Sequence, residues 1–331
     1  MVYDPYNLRY LTGFSGAAPA EHESFALINQ HNAKLIVPLM YVEAARKLTL
    51  VQQGSVQLIV DEKKEGLFSV VLREMQSLDA VDIIIDEKDL NVAELRKIES
   101  QKIVCASSLS LVEHMRVIKD AHELNLVQQA DEMTHLTLVE FEVWLRSLDF
   151  TQKTELDCVE KIREIALRLG ADGLSFDPIV ASGAASSQPH YSPTRTKIQN
   201  NSVLLVDIGV KIGGYCGDRT ATFVLGHVHA EIEHVMRVVQ EAHDRCAAMV
   251  ADGVTGKQLY DELWRVYVNY GLPATMPHSL GHGVGLEIHE APFLRPLEDQ
   301  VLKKGMVVTI EPGFYVEGKF GVRVESGVVV R

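Results

Sequence analysis

Cysteine is scarce: four stand among 331 residues, Cys105, Cys158, Cys216 and Cys246, and none forms a Cys-x-x-Cys pair. Neither a thiolate zinc site nor a disulfide framework is expected, and the thiols read as reduced and mostly buried. Long apolar runs are missing as well, since none approaches the roughly 20 residues that a membrane helix needs. The opening MVYDPYNLRYLTGF has neither the basic start nor the apolar stretch of a secretory signal, so the cytoplasm is the expected location. Positive charge is in deficit, with 32 Lys and Arg against 45 Asp and Glu and a formal net charge of −13. Phosphate binding needs a basic face, so nucleic acid and membrane surfaces are not expected partners, whereas acidic sites attract cations.

What remains is the composition of an ordinary globular protein, 47% hydrophobic and 23% charged, at a length that favours two domains. Between Phe25 and Val104 the strand-like runs FALI, KLIV, VQLIV, VDIII and KIV alternate with helical spacing in YVEAARKLTLVQQ, GLFSVVLREMQ and NVAELRKIE. That alternation predicts an α/β domain over residues 1–112. The second part, 113–331, groups its elements differently. Helices are expected at about 120–148 and 154–169, strands over about 176–224, helices again at about 230–251 and 256–270, and strands from about 279 onward, an α+β arrangement. The order of a helix pair followed by strands occurs twice. Two histidines fall in the first part and eleven in the second, which is where chemistry is expected.

The segment VLLVDIGVKIGGYCGDRTATFVL reads as a hairpin turning at Gly213-Gly214. A turn centred between Ile212 and Gly213 would set Asp207 directly opposite Asp218, with Cβ atoms about 4.5–5.5 Å apart, and a bulge at the glycines could shift the register by one. Two carboxylates converging on an apolar hairpin repel each other unless a proton or a cation intervenes. Taken alone, one aspartate could equally cap a turn while the other faces water. Further donors lie downstream. In HSLGHGVGLEIHE, three histidines, His278, His282 and His289, fall within twelve positions, and the glycines between them argue against a helical zinc pair. One ligand and two substrate-facing imidazoles is the expected division. Glu311 follows the apolar run MVVTI and precedes Pro312-Gly313, so it should sit at a strand end. Glu325, in FGVRVESGVVV, is expected on one strand face with Arg323, where a salt bridge between the two would be the simple explanation. Two Asp, one His and two Glu make an oxygen-rich donor set suited to hard or borderline divalent ions such as Mn²⁺. His190 lies in FDPIVASGAASSQPHYSPT, which by itself says only that it is on a loop.

In this order the segments resemble the pita-bread metallopeptidases that cut before proline, aminopeptidase P and prolidase. NLRYLTGFSG at 7–16 resembles the start of their N-terminal creatinase-like α/β domain, and HSLGHGVGLEIHE resembles their peptidase signature. The resemblance implies an α+β pita-bread catalytic domain after the α/β one, and five metal ligands, Asp207, Asp218, His282, Glu311 and Glu325. These would hold two divalent ions, Mn²⁺ foremost with Co²⁺ and Zn²⁺ as alternatives. It further implies hydrolysis of Xaa-Pro bonds with Glu311 as general base, His190 and His278 lining the cleft, His289 steadying the tetrahedral intermediate and Arg323 supporting the ligands. Where the family often has D-x-T-R-T, this chain has Asp218-Arg219-Thr220-Ala221-Thr222, and Ser326 stands where an acid usually follows the last ligand. The chain is also expected to start after a first βα unit and to stop soon after Glu325. Methionine aminopeptidase or a creatinase activity, or a non-catalytic pita-bread binding module, are the rival readings. The expected partners are peptides with proline second and another copy of the chain, as a homodimer whose N-terminal domain helps close its partner's cleft.

Overall fold

The short apolar runs of the first part become strands. The computed structural model describes residues 1–16, 23–85, 90–108, 110–296 and 300–331. In chain order the first unit contains α1 (Pro5–Thr12), β1 (Phe25–Ile28), β2 (Ala33–Pro38), α2 (Val42–Arg46), α3 (Thr49–Gln52), β3 (Gln57–Asp61), α4 (Leu67–Ser77), β4 (Asp82–Ile85), α5 (Val92–Ser100), β5 (Val104–Ser107) and α6 (Leu111–Arg116). β2 pairs antiparallel with β1 and parallel with β3, while β4 and β5 form a parallel pair. Ile36 packs into one apolar cluster with Val70 and Met75, and its neighbours Leu35 and Val37 pack into another with Leu8 and Phe14. Both faces of β2 are therefore covered, which is why its sequence is a continuous apolar run rather than an alternation. The helix expected over 41–53 is broken instead, because Leu48 adopts an extended conformation and packs inward.

The first unit closes after Arg116, four residues beyond the expected 112. α6 stays with it because Arg116 Nη1 donates to Asn7 Oδ1 at 2.8 Å and Asn7 Nδ2 donates to Glu113 Oε1 at 2.9 Å.

The second unit, Val117–Arg331, runs α7 (Ala121–Arg146), α8 (Glu155–Leu169), β6 (Gly173–Leu174), β7 (Ile179–Ser182), β8 (Ser202–Ile208), β9 (Val210–Ile212), β10 (Tyr215–Cys216) and β11 (Arg219–Leu225). A second set follows: α9 (Ala230–Met249), α10 (Gly256–Asn269), β12 (Gly281–Gly283), β13 (Glu290–Leu294), β14 (Val307–Ile310), β15 (Gly313–Val316), β16 (Phe320–Arg323) and β17 (Ser326–Val329). The helices begin where side chains satisfy the free N–H groups of the first turn. Reciprocal caps join Asp120 with Glu123, Thr154 with Asp157 and Thr255 with Gln258. Leu138, Phe141 and Leu145 of α7 pack with Cys158 and Ile162 of α8 over Leu204 and Val206 of β8. Val238, Val239 and Ala242 of α9 pack with Leu259 and Leu263 of α10 over Val308 and Ile310 of β14. Helix pair over strands thus recurs in space as in sequence. The sheets are β11-β8-β7, β10-β9-β6, β13-β12-β14-β17 and β15-β16.

Candidate active site

The hairpin forms, with its turn centred one residue later than expected, which moves every cross-strand pairing by two. Gly213 and Gly214 have φ of 55° and 81°, and positive φ at both central residues is what a two-residue type I′ turn needs. The turn is therefore centred between the glycines, and Ile212 pairs with Tyr215. Carried down the ladder, that register sets Asp207 opposite Thr220, not Asp218. Asp218 precedes Thr220 by two residues, so both aspartates still look to one face. The hairpin also changes sheets midway, at Gly209 and Gly217. A Cβ on Gly209 would lie 2.1 Å from Gly217 O, and one on Gly217 would lie 2.5 Å from Ala130 O of α7. Glycine at both positions lets the ribbon bend against the helix.

His282 lies within β12, as the glycines around it require. A Cβ on Gly281 would stand 1.9 Å from Thr309 O, and one on Gly283 would stand 2.2 Å from Ala291 O. The His282 backbone N–H donates to Thr309 Oγ1 at 3.0 Å, and Nδ1 bonds Gly283 O at 3.1 Å. That second bond keeps the proton on Nδ1 and leaves the Nε2 lone pair available, the usual way a ligating imidazole is oriented. Nε2 lies 3.6 Å from Asp218 Oδ2 and 3.6 Å from Glu311 Oε1. One donor atom each from Asp218, His282 and Glu325 falls within 4.8 Å of the others, and all three residues are buried.

Arg323 and Glu325 do not share a strand face. β16 ends at Arg323 and β17 begins at Ser326, so Glu325 sits in the connection, where its N–H donates to Thr220 O at 3.1 Å. The guanidinium turns to Asp207: Nη2 donates to Oδ2 at 2.6 Å. Its Nε donates to Thr220 Oγ1 at 3.0 Å, and that hydroxyl donates to Glu325 Oε2 at 2.7 Å. Thr220 thus links the last carboxylate to the arginine. Asp207 Oδ1 is buried without a hydrogen-bond partner among the described residues, a costly state for a carboxylate oxygen that a cation would relieve.

The other histidines line the cleft around these donors. His278 Nδ1 bonds Ser279 O at 2.8 Å, and Nε2 accepts from the Tyr315 hydroxyl at 2.8 Å, which in turn accepts from Arg323 Nη1 at 3.0 Å. His278 Nδ1 is 3.5 Å from Glu311 Oε2. The His289 ring meets that of His282 edge to face at 4.4 Å. His190 is exposed on its loop and lines the same cleft, a cavity of about 450 Å³ whose walls include Asp207, Asp218, His278, His282, His289, Glu311, Arg323 and Glu325. Phe176, Ile179, Ile288 and Phe293 add an apolar side. All the singled-out residues therefore gather in one place.

Sequence reading missed Tyr315, Thr220 and Thr309. Tyr315 had a signal: it stands between Gly313 and Gly321 of one hairpin, and a Cβ at either glycine would come within 2.6 Å of its ring or hydroxyl. The departures from the family pattern have local answers too. Arg219, two positions before Ala221 on the same strand face, forms a two-point pair with Asp131 of α7 at 2.9 and 2.7 Å. Ser326 Oγ is bonded to His243 Nε2 at 2.9 Å.

The charges are unbalanced. Asp207, Asp218, Glu311 and Glu325 crowd around one guanidinium. Burial, then the charges of Glu325, Asp207 and Glu311, hold the Asp218 carboxyl well above its ordinary range. Burial and then Glu325 do the same to Glu311, and burial and then Asp207 raise Glu325 to about 8. Burial raises Asp207 against the pull of Arg323. His282 is pushed down to about 4 by burial and then His289, and His278 to about 4 by burial and then Arg323. Neutral imidazole beside protonated carboxylates is the set of states a divalent cation would convert into ligands.

Comparison with known proteins shows the family. Residues 125–331 match the family described as metallopeptidase family M24, and residues 1–118 match the creatinase/prolidase N-terminal domain. An uncharacterised peptidase of Methanocaldococcus jannaschii is 37% identical over 279 residues, 82% of this chain and 77% of its own. A Xaa-Pro dipeptidase of Pyrococcus furiosus is 28% identical over 337 residues, 99% of this chain and 89% of its own. The crystal structure of an X-Pro aminopeptidase from Thermotoga maritima superposes with a TM-score of 0.87 at 29% identity, covering 98% of this chain and 89% of that one.

Proposed function

Because the chain belongs to metallopeptidase family M24, with a creatinase/prolidase N-terminal domain ahead of the catalytic part, we propose that it hydrolyses the peptide bond before a proline in second position, as a metal-dependent exopeptidase. The observation that carries the proposal is the meeting of Asp218, His282 and Glu325 donor atoms within 4.8 Å in a cleft that also presents Glu311 and the unpartnered Asp207 Oδ1. Asp207, Asp218, His282, Glu311 and Glu325 would hold two divalent ions, with Mn²⁺ suited to four carboxylates and one imidazole. Bound there, the ions supply Lewis-acid polarisation of the scissile carbonyl and a nucleophilic water at neutral pH.

The chain's own residues do the rest. Glu311, 13% exposed at the cleft wall, takes a proton from the attacking water and returns it to the proline nitrogen as the C–N bond breaks. His289 donates to the oxygen that gains charge in the transition state. His278, held neutral and oriented by Tyr315 and Ser279, and His190 line the path of the peptide. Arg323 fixes Asp207 and, through Thr220, Glu325. A binding module without catalysis would have no use for a complete donor set with a general base. The assembly we propose is a cytoplasmic homodimer; light scattering should give a particle near twice 36.8 kDa.

The test is a peptide panel, Xaa-Pro against Xaa-Pro-Yaa, run after chelation and after restoring Mn²⁺, Co²⁺ or Zn²⁺. Cleavage before proline that vanishes on chelation and returns with metal is the expected result. No cleavage of either peptide type with any metal would overturn the proposal.

A further inference from the structure

His289 ends the loop between β12 and β13, and the next residue, Glu290, carries a carboxylate that does not face the cleft. Glu290 Oε1 accepts from Lys119 Nζ at 2.6 Å, and the two side chains are 6% and 1% exposed. Lys119 is itself fixed, since its N–H donates to Gly305 O at 2.9 Å and its Nζ also reaches Val117 O at 3.4 Å. The loop folds around the other side of the carboxylate. Glu287 N–H points to Glu290 Oε2 at 3.4 Å, and a Cβ on Gly285 would lie 2.4 Å from Oε1. Gly283 pairs with Glu290 across the bulge that follows His282. Cys216 N–H, two residues before Asp218, donates to Gly285 O at 2.8 Å.

We propose that the Lys119–Glu290 pair is a positioning device for His289, holding the segment 283–290 in the one curvature that brings that imidazole 4.4 Å from the His282 ring. The physical ground is that a buried ion pair is a poor way to gain stability. Desolvating both charges consumes most of their attraction, and packed apolar side chains of similar volume often do as well. What the carboxylate offers and an apolar side chain cannot is directed bonds, to Lys119 on one side and to the loop backbone on the other. Glu290 is not among the residues that line the cleft, so it acts through its neighbour. The inference rests on the transition-state role given above to His289.

The experiment uses the full chain, loaded with Mn²⁺ for turnover and with diamagnetic Zn²⁺ for spectra, and two variants, Glu290→Gln and the apolar double variant Lys119→Met with Glu290→Leu. Both should bind the same metal complement. The double variant should also melt near the parent temperature, because no buried charge is left unpaired. Turnover on an Xaa-Pro peptide should fall at least tenfold in each with KM little changed, and the His289 ring resonances should move in a ¹⁵N-imidazole spectrum. A folded, metal-loaded variant with parental turnover and unmoved His289 resonances would overturn the inference. If the parent itself cleaves no Xaa-Pro peptide, the functional reading fails, and the His289 resonances still decide whether the pair positions the ring. If the double variant does not fold, Glu290→Gln decides alone.

Discussion

Asp218 is the residue on which the candidate centre depends, since its carboxylate is buried beside three others and 3.6 Å from the His282 nitrogen. Asp218→Asn should lose most bound metal and nearly all turnover, as read by elemental analysis and a peptide assay on the same sample. Glu311→Gln keeps shape and removes the proposed base, so turnover should collapse. Tyr315→Phe isolates a different contribution. It deletes one hydroxyl that accepts from Arg323 and donates to His278, and a hydrogen bond to a charged group is worth about 1.5–3 kcal/mol. Turnover should drop by roughly tenfold or more with metal content intact. Metal loss in Tyr315→Phe would show that the tyrosine supports the carboxylates rather than the imidazole.

At the scale of elements, the hairpin of β8 to β11 separates two kinds of glycine. Gly213→Ala would place a side chain at φ +55° and against Leu126, with a cost of about 1–2 kcal/mol for the left-handed conformation. The turn lies five residues from Asp218, so thermal stability should fall while metal stoichiometry holds. Gly217→Ala is adjacent to Asp218 and would drive a Cβ into Ala130 O. It should push the ribbon off α7 and cost metal as well as stability. Equal metal content in both variants would show that the close approach at Gly217 does not set the site. The same hairpin shows what spacing alone cannot give: the two glycines announced the turn, but which peptide bond was its centre depended on both adopting positive φ.

For the whole molecule, the crowding of carboxylates predicts how stability follows pH. Glu325, raised to about 8 from 4.5, and Asp218 and Glu311, raised well above their ordinary values, hold protons in the metal-free fold that the unfolded chain releases. Their contribution is fullest below the unfolded values and is lost as pH rises through the folded ones. His278 and His282, lowered to about 4 from 6.5, act in the opposite direction: their contribution is present above 6.5 and is lost as pH falls toward 4. Between about 6.5 and 8 those imidazoles are neutral in both states; the Met1 α-amino group, lowered from 8.0 to about 6 by burial, opposes the carboxylates in that window, but three raised carboxyls outweigh one amine. Chelated protein should therefore melt at a lower temperature at pH 8 than at pH 6.5. Added Mn²⁺ should raise the melting temperature more at pH 8, because its ligands must be deprotonated. A chelated protein more stable at pH 8 would contradict the crowding.

The sequence by itself determined the element types, the α/β then α+β order and the residues that gather in the cleft. Alternation, helical spacing and glycine placement are local properties, and Asp, His and Glu at strand ends and glycine loops declare their chemistry by type. Tertiary structure alone decided who meets whom. Arg323 lies two residues from Glu325 in sequence yet bonds Asp207, because β16 ends between them and the guanidinium reaches across to β8. Thr220 and Tyr315 became site residues only when separate hairpins brought them to the same arginine. Lys119 found Glu290 across 171 positions of chain, a pairing that no local pattern records because it is fixed by the packing of elements and not by propensity.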